Sequence, residues 1–186
     1  DLDAGEWVGF YEVPGLHGYE PLDDGSTLAW GSGCNLTVAG IPQMGNQPDD
    51  NGFCAEGAWF VRISGDGTPM WSLNSTSDST GTNCHPTSNW GCPYTYPTSG
   101  SDSMQYPPTI ENGSMSVVMY SSCYGHDAGD VLCSTSFGDL GSLEWPNVGS
   151  SWAGTRVLAN IDLDAGEWVG FYEVPGLHGY EPLDDG

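Results

Sequence analysis

Short runs of apolar residues, each closed by glycine, proline, asparagine or aspartate, recur along the whole chain. They fall at 6–13 (EWVGFYEV), 26–30 (STLAW), 34–39 (CNLTVA), 57–64 (GAWFVRIS), 69–73 (PMWSL), 115–121 (MSVVMYS), 130–137 (DVLCSTSF) and 155–161 (TRVLANI). Each has strand length and is rich in the β-branched and aromatic residues that fit a pleated surface. No long stretch repeats its apolar positions at the helical period, so helices are not expected. Turn-forming clusters separate the runs at Asp23-Asp24-Gly25, Asp49-Asp50-Asn51-Gly52, Ser64-Gly65-Asp66-Gly67 and Asn112-Gly113. The last is a dipeptide favoured in two-residue hairpins. Short strands joined by such turns predict an all-β domain, an antiparallel β-sandwich or jelly roll.

The first run occurs twice. Residues 1–25, DLDAGEWVGFYEVPGLHGYEPLDDG, return unchanged as residues 162–186, an offset of 161. The chain therefore divides into a 161-residue unit, 1–161, and a copy of its opening segment, 162–186. Identity at every position argues against two drifted ancestral strands. It admits a tandem array with a 161-residue period, a filament subunit with a duplicated docking strand, or a duplication without a role, and the array is favoured. Strand alternation sends Trp7, Gly9, Tyr11 and Val13 to one face and Val8, Phe10 and Glu12 to the other. Both faces carry large apolar groups, so the strand asks for cover on both sides. Left at a sheet edge it would invite pairing with another chain. We expect this terminal strand to pack on a neighbouring unit by β-strand addition or as the start of the next unit. Trp7, Phe10 and Tyr11, or their copies Trp168, Phe171 and Tyr172, then form the contact. Reach allows it, because 25 extended residues span roughly 80 Å, against a globule diameter of about 40 Å.

Charge narrows the partners. The chain holds 2 basic and 25 acidic residues, a formal net charge of -23, and its cations are Arg62 and Arg156. Nucleic-acid binding by phosphate neutralisation is excluded on that balance, as is adsorption to an anionic bilayer. Yet aromatics make up 12% of the chain, with 8 Trp, which suits a packed core rather than a disordered acidic tail. No apolar run approaches the roughly 20 residues of a membrane helix, so membrane insertion is not expected. The chain opens on Asp1 without a basic or apolar leader, which reads as a processed chain.

Six cysteines stand at Cys34, Cys54, Cys84, Cys92, Cys123 and Cys133, without the paired spacing of a zinc site. An even count in a Gly/Ser/Thr-rich chain favours three disulfides and an oxidising, extracellular compartment. Among the connectivities that six cysteines allow, sequential pairing is the expectation: Cys34–Cys54, Cys84–Cys92 and Cys123–Cys133. Three N-glycosylation acceptors point to the same compartment, at Asn35-Leu36-Thr37, Asn74-Ser75-Thr76 and Asn112-Gly113-Ser114. All three asparagines are expected at the surface.

Chemistry is sparse. There is no nucleophile-elbow serine, zinc-protease helix or phosphate-binding glycine loop, so no enzyme is expected. His17, His85, His126 and His178 form no ligand-spaced pair. Glu56, Glu111 and Glu144 are the glutamates outside the duplicated segment, and a glycosidase would need two of them held together. No cofactor is expected beyond Ca2+ at acidic turns. Asp1, Asp3 and Glu6, repeated as Asp162, Asp164 and Glu167, supply oxygens, as do Asp23-Asp24 and Asp49-Asp50-Asn51, but the full EF-hand pattern is absent. Residues 84–108 hold Trp90, Tyr94, Tyr96 and Tyr106, aromatics suited to stacking on sugars or to covering the core. The favoured function is thus a structural subunit of an extracellular glycoprotein filament or surface array, its partners being copies of itself and N-linked glycans. A secreted carbohydrate-binding domain and a secreted glycoside hydrolase are the alternatives.

Overall fold

A computed structural model of the chain describes residues 12–48, 54, 56–80, 100–104, 106–124, 131–147 and 152–177. The strands in chain order are β1 (Leu16–Pro21), β2 (Thr27–Gly33), β3 (Leu36–Val38), β4 (Ile41–Met44), β5 (Gly57–Ile63), β6 (Pro69–Asn74) and β7 (Thr76–Thr80). They continue as β8 (Gly100–Met104), β9 (Thr109–Glu111), β10 (Ser114–Tyr124), β11 (Val131–Ser136), β12 (Ser142–Asn147), β13 (Trp152–Asp162) and β14 (Glu167–Glu173). A single 3-10 turn, Gly138–Leu140, is the helical element among the described residues. Pairing is antiparallel throughout the ladders, in the orders β1-β2-β5-β6, β14-β13-β10-β8 and β12-β11-β7, with β9 also on β10 and β3-β4 as a hairpin.

The core explains why β5 reads as an unbroken apolar run. Ala58 and Phe60, with Leu28 and Trp30 of β2, face Met115, Val117 and Met119 of β10 and Val157, Ala159 and Ile161 of β13. Trp59, Val61 and Ile63 face the other way, where Val38 and Met44 of the β3-β4 hairpin cover them. Every residue of β5 is buried, because cover on both faces removes the need for polar alternation. A third cluster joins Cys123, Cys133 and Trp145. Beside it the buried hydroxyls of Ser121 and Thr135 bond each other across β10 and β11.

Two of the expected disulfides are formed. Cys34–Cys54 links the end of β2 to the approach to β5, and Cys123–Cys133 links β10 to β11. Each closes a loop worth about 2–3 kcal/mol in the chain-entropy account. Cys84 and Cys92 lie outside the described residues. Asn112 (φ 47) and Gly113 (φ 78) turn β9 into β10 with two positive φ values, the conformation of a type I′ hairpin that their sequence predicts.

Several strands escape a reading by apolar pattern. β7 (TSDST) and β8 (GSDSM) carry mostly small polar residues, and β1 is almost wholly exposed. These strands join a sheet through backbone ladders, which leave no hydrophobic signature. β13 runs unbroken through Asp162, so the boundary that the repeat suggests at 161 cuts a strand.

The end of β14 is packed by rings. Phe137 is fully buried, stacked on Phe171 at 4.5 Å between centroids and edge-on to Trp168 at 5.1 Å. Phe137→Ala should cost about 3–5 kcal/mol, seen as a lower denaturant midpoint. Val169→Thr, on the exposed side of the same strand, should stay within about 0.5 kcal/mol of the parent.

Candidate functional site

Among the described residues, the first copy contributes β1 and the second contributes β14. Residues 1–11 lie outside the described residues. From the first copy, Glu12 to Asp24 cover one end of the β2-β5 sheet. From the second, Asp162 to Leu177 cover the β13 edge. Among the described strands, β1 and β14 end their respective sheets.

β14 departs from simple alternation. Ile161 pairs with Trp168, but Asn160 pairs with Gly170, so Val169 is an extra residue on the bulged strand. The bulge shifts the phase by one position. Trp168 and Phe171 then share the core face opposite Ile161 and Ala159, while Val169 and Tyr172 turn outward with 54% and 61% of their surface exposed. Strict alternation had put these rings on opposite faces. The body covers one side of the strand, where Trp168 meets Phe60 edge-on at 5.5 Å. Both rings pack on the body formed by the preceding residues. Tyr172 remains outward, and Trp7, Phe10 and Tyr11 lie outside the described residues.

Arg62 clasps the two copies. Its side chain is 8% exposed. Nη2 donates to Asp24 Oδ2 at 2.6 Å, in the first copy. Nη1 donates to the Leu163 carbonyl at 2.6 Å and to Asp164 Oδ1 at 3.3 Å, in the second. Nε donates to the Ser26 hydroxyl at 2.9 Å, which in turn donates to Asp24 Oδ1 at 2.6 Å. Trp71 Nε1 shares the Leu163 carbonyl at 2.8 Å, and the Leu163 N–H bonds Gly113 O. Gly166 makes room, since a Cβ there would stand 2.3 Å from Trp71 Cγ. The Ser26 hydroxyl and N–H, with Arg62 assisting, hold the Asp24 carboxyl down at about 2.

A second tie holds β1. The Ser32 hydroxyl lies 3.1 Å from His17 Nε2 and donates to Glu56 Oε2 at 3.2 Å. Its single proton goes to the carboxylate, which leaves His17 as donor to the serine oxygen. A nucleophilic triad has the reverse order, with the imidazole taking the serine proton and the acid orienting the imidazole. Ser32 is also buried within β2. The trio fastens β1 to β2 and is not disposed for acyl transfer. Glu111 and Glu144, the other candidate carboxylates, are exposed on β9 and β12.

The acidic turns are already engaged. Asp162 Oδ1 accepts the N–H groups of Asp164 and Ala165 at 2.9 Å each, and Asp164 meets Arg62. Among the described residues no group of three or more His, Cys, Asp or Glu could hold a metal ion. Asp1, Asp3, Glu6, Asp49, Asp50 and Asn51 lie outside them, as do His85, His126, His178, Trp90, Tyr94 and Tyr96. Tyr106 is half-buried. Of the acceptor asparagines, Asn35 and Asn112 are exposed with positive φ. Asn74 is half-buried, accepting from Gly45 N–H and donating to the Gln43 carbonyl.

Arg62 was legible as a problem rather than as a solution. A lone cation inside GAWFVRI must find acceptors once buried, but the acceptors lie 36 to 102 residues away. Compared with models of protein families, with curated proteins and with solved structures, the chain has no match.

Two outcomes follow from the clasp. Arg62→Ala should lower stability by about 2–3 kcal/mol, through lost charge-assisted bonds and lost packing of the aliphatic stem. Asp24 titrates at 3.8 when unperturbed and at about 2 in the fold. Its contribution is therefore complete above pH 3.8 and is lost as pH falls through about 2. Asp24→Asn should flatten that acid limb in melting curves taken against pH. Asp66, held low by the Ser64 hydroxyl and the Thr68 N–H, should leave a residual slope.

Proposed function

We propose that the chain is a structural subunit of an extracellular glycoprotein filament or surface array, with units joined through the duplicated segment. The observation that carries this reading is that both copies of that segment supply strands at the ends of sheets. Among the described residues, the trailing part of the first copy forms β1 and the leading part of the second forms β14, each at the end of a sheet. A segment whose two copies supply strands at the ends of two sheets suits a boundary between units. The exposed ring of Tyr19 on β1, at 63%, and that of Tyr172 on β14 lie along the two strands concerned.

Two disulfides suit an oxidising compartment. Among the described residues no helix is long and apolar enough to cross a membrane. Glycans on Asn35 and Asn112 would project from turns at the rim of the sheets. A glycan on Asn74 would leave one amide N–H for Gln43. The net charge of -23 would keep such fibres apart in solution and make their bundling sensitive to salt.

Electron micrographs of the native material test this reading. Beaded fibres with a repeat of roughly 40 Å are expected, together with a mass that N-glycosidase treatment lowers. Isolated particles of about the 19.7 kDa chain mass in every field would remove it.

A further inference from the structure

Both copies of the stretch Glu-Val-Pro-Gly-Leu are described, as Glu12–Leu16 and Glu173–Leu177. Both turn at Pro-Gly, and the glycines share one backbone conformation: φ is 69° at Gly15 and 76° at Gly176. Their surroundings differ completely.

At Glu173 the carboxylate accepts from the Thr155 hydroxyl at 2.8 Å. The Val174 N–H bonds the Arg156 carbonyl, and its own carbonyl accepts from Leu177. Since Val174 and Arg156 form a hydrogen-bonded pair, the adjoining Glu173/Val157 pair is of the other kind, and the Glu173 carbonyl points away from β13. Apart from its chain neighbours, no described residue lies within 4 Å of where a Cβ on Gly176 would lie.

In the first copy the complementary groups are in use. The Glu12 carbonyl accepts from Ala39 N–H at 3.1 Å, and the Val13 side chain packs beneath the β3-β4 hairpin. The Gly15 carbonyl accepts from Ser32 N–H, and a Cβ on Gly15 would lie 2.0 Å from Ser32 O. No group is claimed in both settings. Glutamate gives its carboxylate to one and its carbonyl to the other. Valine gives its backbone to one and its side chain to the other, and glycine is needed close-packed in only one.

We infer that Glu-Val-Pro-Gly-Leu is a crossover at which one copy of the segment serves two bodies at once. Its leading part closes one body along β13, and its trailing part opens the next along β2. The partner is a second copy of this chain's own unit, and the Thr155–Arg156 end of β13 in one body meets the Ala39 turn of the next without an intervening linker. This rests on the array reading above and specifies its joint.

The test is a two-body chain in which residues 26–186 are repeated after Gly186, so that the middle segment follows β13 of the first body and precedes β2 of the second. Its thermal unfolding is compared with that of the 186-residue chain, each with and without Gly176→Ala. The joint requires that the parent two-body chain melt in one transition at the midpoint of the single body. Gly176→Ala should then split off a lower-melting transition that the 186-residue chain carrying the same change does not show, because only in the joint does residue 176 press on a Ser32 carbonyl. Two transitions in the parent, or a two-body chain indifferent to Gly176→Ala, would overturn the crossover. Micrographs decide the array separately: native material without fibres removes the array, whatever the two-body chain does.

Discussion

A buried guanidinium organises this molecule. Arg62 sits in the most enclosed strand of the sheet, in a chain with one other cation. Taking that charge out of water is expensive unless every donor finds an acceptor. The acceptors that answer it are Ser26 and Asp24 on one side and the Leu163 carbonyl and Asp164 on the other. Asp24 lies at the end of the first copy, Ser26 follows that copy, and Leu163 and Asp164 lie at the start of the second. The need to satisfy one cation therefore brings together two regions that the chain keeps far apart. It also fixes the turn between β13 and β14, on which the placement of Trp168 depends.

From that turn the strand could expose either set of its rings. The bulge at Val169 settles the choice by placing Trp168 and Phe171 on one face, where Phe60 and Phe137 complete the packing. The outward face keeps Val169 and Tyr172. An edge strand with such a face is a standing invitation to further pairing. Here both sheets that bound the core end on strands drawn from the same 25-residue segment.

The chemistry near the segment is structural in character. His17, Ser32 and Glu56 resemble a catalytic set by residue type alone, but the serine proton is directed to the carboxylate and the hydroxyl is enclosed in a strand. Asp162 and Asp164 resemble metal ligands by spacing, yet one caps its own turn and the other faces Arg62. In each case the polar groups are spent on holding a strand of the duplicated segment in place.

Much of the fold was written in local patterns. The apolar strands β2, β5, β6, β10, β11 and β13 and the Asn112-Gly113 hairpin could be read from neighbouring residues alone, because burial and turn geometry act over short stretches, whereas the cysteine count implied disulfides without fixing which pair. The duplication, the acidity and the cysteines likewise needed no coordinates. The polar strands β7 and β8 could not be read, since backbone pairing leaves no mark on side-chain type. The bulge could not be read either, because a single inserted position changes which rings face the core without changing composition. The partners of Arg62 and the division of the segment between two sheet edges were decided only by tertiary structure, for a charge buried in one strand is answered wherever the chain happens to return.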